Sequence, residues 1–266
     1  MDGTLRKRRA IFAAALVIFG TFYLMLCFPK KSPSVNTKSS ADSVVGGGPE
    51  KKVTQVAENK EEVTDFSKPV LIDGKPYYVI FSDETKEIKE WFSSKGYFTK
   101  EDSAVYESYN DETLKSLGKQ GDLLALDLLI SRSAGNEKAV MQYITVGAVY
   151  GSTTALDSLT IYTAPKSTNN MTEESRRPAA LETLAVTKVI EMRGDRSLAQ
   201  SSKVSFLNSY KRRYDTDLKI SDDEQKYVDS RAQEIYDQLQ KIRHEVGLGD
   251  FDNTEPTSIK KVFGLN

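Results

Sequence analysis

The residues on which much enzyme and metal chemistry depends are scarce in this sequence. Of 266 residues one is cysteine, Cys27, and one is histidine, His244. A lone cysteine inside an apolar run excludes a disulfide and a thiolate metal site from the rest of the chain. A lone histidine among charges leaves Cys-His, Ser-His-Asp and zinc constellations without enough members. No Asp-x-Asp-x-Asp-Gly loop is present to hold calcium, and Gly46-Gly47-Gly48 lacks the Lys-Ser/Thr that follows in a phosphate-binding loop. Charge of one sign is lacking too: 37 Lys and Arg balance 38 Asp and Glu, which disfavours nucleic acid as a partner. The expectation is a protein with no catalytic, cofactor or metal residues. Paired carboxylates are the one chemistry this inventory leaves open, since the fold alone brings two acids together; Asp122, Asp127 and Asp157 are its candidate members.

What is present begins with a membrane signal. Ala10 to Phe28 contains no charge, follows Arg6-Lys7-Arg8-Arg9 and precedes Pro29-Lys30-Lys31. As a helix rising about 1.5 Å per residue it spans roughly 28 Å, close to the ~30 Å hydrocarbon core of a bilayer. The run exceeds a signal-peptide core, and Leu24-Met25-Leu26-Cys27-Phe28 has no small-x-small cleavage pattern, so it reads as an uncleaved single-pass anchor. The basic excess lies before it in residues 1–9, which places the N-terminus in the cytoplasm and the bulk of the chain outside it, in the periplasm if the cell is bacterial.

Residues 29–68 are rich in Ser, Lys, Glu and Thr and follow neither a helical nor a strand period, the composition of a disordered linker. About 40 such residues have a root-mean-square reach of about 35 Å. The folded domain is expected over 69–247. It opens with a small β-hairpin over 70–81, because Asp73-Gly74 separates two apolar runs and both residues tolerate positive φ. Helix starts follow at Ser82, Thr99 and Asn110, and Gly96 is placed to end the first helix.

The most informative internal signal is a near-repeat. Gly121-Asp122-Leu123-Leu124-Ala125-Leu126-Asp127-Leu128-Leu129 returns thirty residues on as Gly151-Ser152-Thr153-Thr154-Ala155-Leu156-Asp157-Ser158-Leu159, with a fainter echo at Gly194-Asp195-Arg196-Ser197-Leu198-Ala199. Each copy follows one helical segment and opens another, so the units read as stacked helical hairpins. Gly121, Ala125, Leu126, Gly151, Ala155 and Leu156 are the expected packing residues, the small Ala letting helices approach and the leucines filling the groove between units. Val146-Gly147-Ala148-Val149-Tyr150-Gly151-Ser152-Thr153-Thr154-Ala155-Leu156 resembles the Sel-type branch of the tetratricopeptide-like solenoids. That resemblance implies an α-solenoid, mainly α, whose work is binding protein or peptide.

Between Thr163 and Thr172 a polar, Pro-containing loop interrupts the second unit. Insertions in repeat proteins commonly line the binding face, which makes Lys166, Asn169, Asn170 and Met171 the candidate partner-binding residues. The next helix is expected to start near Arg176, with Pro178 in its first turn. Lys211-Arg212-Arg213, between Tyr210 and Tyr214, reads as a solvated basic turn. Ser221-Asp222-Asp223-Glu224 is a capping box, and Val228, Ala232, Ile235, Leu239, Ile242 and Val246 form a stripe ending at Gly247, expected to cap the open end of the array. Residues 248–266 have little periodicity and are expected to be a loosely attached tail. Together these features predict a membrane-anchored, non-catalytic scaffold or adaptor that binds a protein or peptide partner outside the cytoplasm; the alternative is a carboxylate-based hydrolase of cell-envelope polysaccharide.

Overall fold

The computed structural model describes residues 71–72, 75–76, 86–165 and 172–264. The chain divides into two units, of which residues 31–82 make one. In that unit β1 (Leu71–Ile72) and β2 (Lys75–Pro76) pair antiparallel, Leu71 opposite Pro76 and Ile72 opposite Lys75, on either side of Asp73-Gly74. The rest of the hairpin expected over 70–81, the linker 29–68 and the anchor 10–28 lie outside the described residues. Among those described, no helix is long and apolar enough to cross a membrane.

The other unit is mainly α and helical-repeat-like, with ten helices among the described residues. In chain order they are α1 (Lys86–Lys95), α2 (Lys100–Glu107), α3 (Asp111–Gly118), α4 (Leu123–Arg132), α5 (Glu137–Tyr150), α6 (Thr153–Thr163), α7 (Glu173–Met192), α8 (Arg196–Tyr214), α9 (Asp222–Glu245) and α10 (Thr257–Phe263). From α3 to α8 each helix packs on the next, and α2 with α4 and α6 with α8 also touch.

One turn geometry recurs at most of these connections, the α6–α7 loop excepted. Gly121, Gly151 and Gly194 each end a helix with positive φ, +91°, +127° and +74°. The next residue then does two jobs. Its N–H closes the finished helix, Asp122 to the Leu117 carbonyl, Ser152 to Gly147 and Asp195 to Ile190. Its side chain opens the following helix by accepting from the N–H three residues on, at Ala125, Ala155 and Leu198. Orphan groups at both helix ends are thus satisfied within two residues, which fixes a sharp reversal. Gly135-Asn136 repeats the arrangement ahead of α5, with Gly135 at +93° and Asn136 accepting from Ala139.

Of the expected packing residues Gly121 and Gly151 stand in the turns, and the close approach of helices falls at Gly147. A Cβ on Gly147 would stand 3.0 Å from that of Ala155, so α5 and α6 approach backbone to backbone. In the preceding pair Gly118 faces Leu126. Ala125, Leu126, Ala155 and Leu156 are all buried.

The core centres on α7, buried nearly all round from Ala180 to Ile190 by α6, α8 and α9. This helix begins at Glu173, capped by Thr172, a turn earlier than expected, so Pro178 sits inside it. Glu174 lies at the exposed start of the helix, where solvent takes the carbonyl that Pro178 leaves without a donor.

The α9 stripe is buried as expected, but chiefly on α7 and α5. The helix runs back along the array rather than capping its last member. Arg231 turns inward to Glu182 of α7 at 3.0 Å, and Tyr227 donates to the same carboxylate at 2.7 Å.

Residues 248–264 differ from the loose tail expected. They form a strap that returns to α1: Phe251, Glu255 and Ile259 are buried, and the Trp91 indole N–H donates to the Thr254 carbonyl at 3.2 Å. Phe263 meets Phe92 edge-on at 6.3 Å between centroids. The strap has no regular period because its anchors are isolated side chains and backbone groups.

Candidate functional site

Two polar assemblies stand out, one sealed and one open. The sealed one lies where the turns at Gly96, Gly151 and Gly194 converge under the strap. Asp195, fully buried, caps α8 and also accepts from Thr153 Oγ1 at 2.6 Å and from the Tyr97 hydroxyl at 2.8 Å. Thr153 shares its one O–H between Asp195 and the Lys95 carbonyl at 3.2 Å, and Thr154 donates to the Gly96 carbonyl at 3.0 Å. Burial pushes the Asp195 carboxyl up, against the pull of these donors.

Lys95 and Arg193 are buried beside it. Lys95 Nζ donates to the carbonyls of Arg193 and Asp252, and Arg193 Nε donates to Asn253 Oδ1 at 3.1 Å. Neither cation has a carboxylate oxygen within 4 Å among the described residues. Burial, and then the neighbouring Arg193, lower the Lys95 ammonium to about 8; burial and Arg243 lower the Arg193 guanidinium to about 9. The Arg193 guanidinium carbon lies 3.3 Å from the Phe251 ring centre and that of Arg243 4.4 Å, so the aromatic face supplies part of what a counter-ion would. Arg193 Nη1 has no hydrogen-bond partner among the described residues. The assembly joins α1, three helix turns and the strap, and its side chains are turned on one another.

The open assembly is a groove of about 380 Å³ between α7, α8 and the start of α9. Leu184, Ala199, Ile220 and Val228 give it an apolar floor, and Lys188, Gln200, Lys203 and Gln225 stand along its rim. The groove exists because α8 and α9 both pack on α7, while the connection between them leaves the first half of α8 uncovered. Its residues come from three separate stretches, and sequence reasoning missed them: Lys188 was legible only as a position in a helix, and Gln200 and Lys203 carry no motif.

The candidate loop residues Lys166, Asn169, Asn170 and Met171 lie outside the described residues. Just before them, the Pro165 carbonyl accepts from Arg213 Nη1 at 2.9 Å and from the Tyr214 hydroxyl at 3.2 Å. The basic turn is therefore partly used internally, with Lys211 paired to Asp217 at 3.0 Å and Arg176 stacked 4.3 Å from the Tyr214 ring.

The three candidate acids are not gathered into one cleft by any shared partner. Asp122 caps α4 and accepts from the Tyr106 hydroxyl at 2.7 Å, Asp157 accepts from Ser202 Oγ, and Asp127 is exposed. Each buried carboxylate among the described residues is held by a cation or a helix N-terminus: Glu182 by Arg231, Glu224 by Arg177, Glu255 by Arg196 and Asp195 by α8. His244, exposed, bridges Gln240 and Asp250 at 2.9 and 2.7 Å, beside the start of the strap. Among the described residues no cluster of His, Cys, Asp and Glu has the makings of a metal site.

Compared with protein-family models, curated proteins and solved structures, the chain matches none.

Proposed function

We propose that the chain is a membrane-anchored, non-catalytic helical-repeat protein that binds a protein or peptide partner on the extracytoplasmic side, as a scaffold or adaptor. The observation that carries this reading is the Gly-plus-cap turn that recurs between α3 and α4, α5 and α6, and α7 and α8 in an array of successively packed helices, beside which lies an open groove. Within that class the local pattern Val146 to Leu156 is nearest the Sel-type repeats. The uncharged run Ala10 to Phe28, with basic residues before it, supports the anchor and its direction. The buried acids are committed to structural partners, which favours binding over hydrolysis.

The test is affinity capture from detergent-solubilised membranes with the full chain as bait. An unrelated domain fused to residues 1–68 serves as the control. Specific proteins enriched over that control support the reading; equal recovery from both overturns it. Protease added to sealed cells checks the direction: it should remove the body and spare the N-terminus, and the reverse pattern would refute the extracytoplasmic placement.

A further inference from the structure

We infer that the groove between α7, α8 and the start of α9 takes an extended, acidic peptide segment of the partner protein. The inference rests on the peptide-binding reading above and specifies its surface and ligand chemistry. Three cations line the groove, Lys188, Arg196 and Lys203, and with Glu191 and Glu255 pairing the first two the excess is one positive charge, at Lys203.

The cations are not equivalent. Lys188 is paired with Glu191 at 2.9 Å, and Arg196 reaches out of the groove to Glu255. Lys203, exposed at the rim, has no hydrogen-bond or ion-pair partner among the described residues. It is the point at which an incoming carboxylate meets an ammonium with no bond to break first. Gln200, one turn earlier on α8, is exposed and has no side-chain hydrogen bond among the described residues. Across the groove Gln225 donates one amide N–H to Asp229 at 3.0 Å, and among the described residues its side-chain carbonyl has no donor. Two side-chain amides on opposite rims suit a ligand that presents alternating backbone N–H and C=O groups, which an extended peptide does. The floor of Leu184, Ala199, Ile220 and Val228 accepts an apolar side chain between the acidic ones. At about 380 Å³ the volume lies within the roughly 300–1,000 Å³ of ligand clefts.

The experiment is a fluorescence-anisotropy titration of the purified full-length chain with a dye-labelled peptide of alternating Glu and Phe. A matched peptide carries Lys for Glu. The acidic probe is expected to bind with a dissociation constant on the order of tens of micromolar, weakening with salt, and the basic probe not to bind. Lys203→Glu should weaken the acidic probe by about tenfold or more, while Lys138→Glu, the same charge change on the exposed start of α5, should leave it within about twofold. Circular dichroism confirms that both variants are folded. Binding that is insensitive to Lys203→Glu, or equal for both probes, overturns the groove assignment while leaving partner binding intact. If neither probe binds but affinity capture still recovers a partner, the acidic-peptide assignment fails and the wider reading survives; failure of both experiments removes both.

Discussion

Lys95 Nζ donates a 2.7 Å hydrogen bond to the backbone carbonyl of Arg193, 98 positions away in sequence. The same ammonium reaches the Asp252 carbonyl at 2.9 Å. One side chain thereby ties the end of α1 to the turn before α8 and to the strap, and it stays charged at neutral pH in a place where charge is costly.

That placement fixes a pH dependence. The Lys95 pKa is lowered from 10.5 to about 8, so above pH 8 the folded state loses a proton that the unfolded chain keeps. Stability then rises with pH until about 10, where the tyrosines whose folded values are raised begin to oppose it. Denaturant midpoints measured across that range should climb in the wild type, and the climb should be smaller in Lys95→Met. Equal slopes in the two proteins would show that Lys95 is not the titrating group.

At the acid end, Arg177 holds Glu224 down to about 2 from 4.5. The stabilisation is complete above the unfolded value and is lost as pH falls from about 4.5 to about 2. Glu224→Gln should cost about 1–3 kcal/mol at neutral pH, since it weakens both the ion pair and the Ser221 capping box, and should flatten the acid limb of the stability profile.

Asp195 and Asp122 occupy the same turn position but differ in burial. Replacing Asp195 by Ala removes a helix cap, the nearer of the two acceptors of the buried Thr153 hydroxyl and the acceptor of the half-buried Tyr97 hydroxyl, for a loss of about 2–4 kcal/mol in chemical denaturation. Asp122→Ala removes a cap and one half-buried tyrosine contact, and about 1–2 kcal/mol is expected. A smaller loss at 195 than at 122 would contradict the sealed junction.

Two glycines with similar backbone angles should respond unequally to Ala. Gly135 faces open space, so its substitution carries only the left-handed penalty of about 1 kcal/mol. At Gly194 the new Cβ would stand 2.1 Å from the Asn253 carbonyl oxygen, and the strap must move. The expected signature is a larger loss of stability together with faster amide exchange over 248–264.

The helix ends were legible because their chemistry is local. Thr99, Asn110, Asp122, Ser152 and Ser221 announce helix starts within three residues, and all five act as caps. The Gly121–Gly151 near-repeat marked a true recurrence of geometry for the same reason: one glycine and one polar residue determine the turn. The strap was illegible because Phe251, Asn253 and Glu255 are held by partners far off in sequence, Arg193 and Tyr236 for the first two and Arg196 for the third, and so leave no period. The fate of Arg231 was illegible too, since its burial depends on Glu182 meeting it from another helix. The groove is a product of tertiary packing, with the rims that carry Lys203 and Gln225 brought together on α7.

The measurement that bears most directly on the central claim is site-specific photo-crosslinking in intact cells, with the photoreactive residue in place of Gln200 at the groove rim or of Lys138 as the control. A discrete adduct with a partner bearing an acidic segment, formed from position 200 and absent from position 138, is the predicted result. No adduct from position 200, or the same adducts from both positions, would contradict a groove that binds a partner.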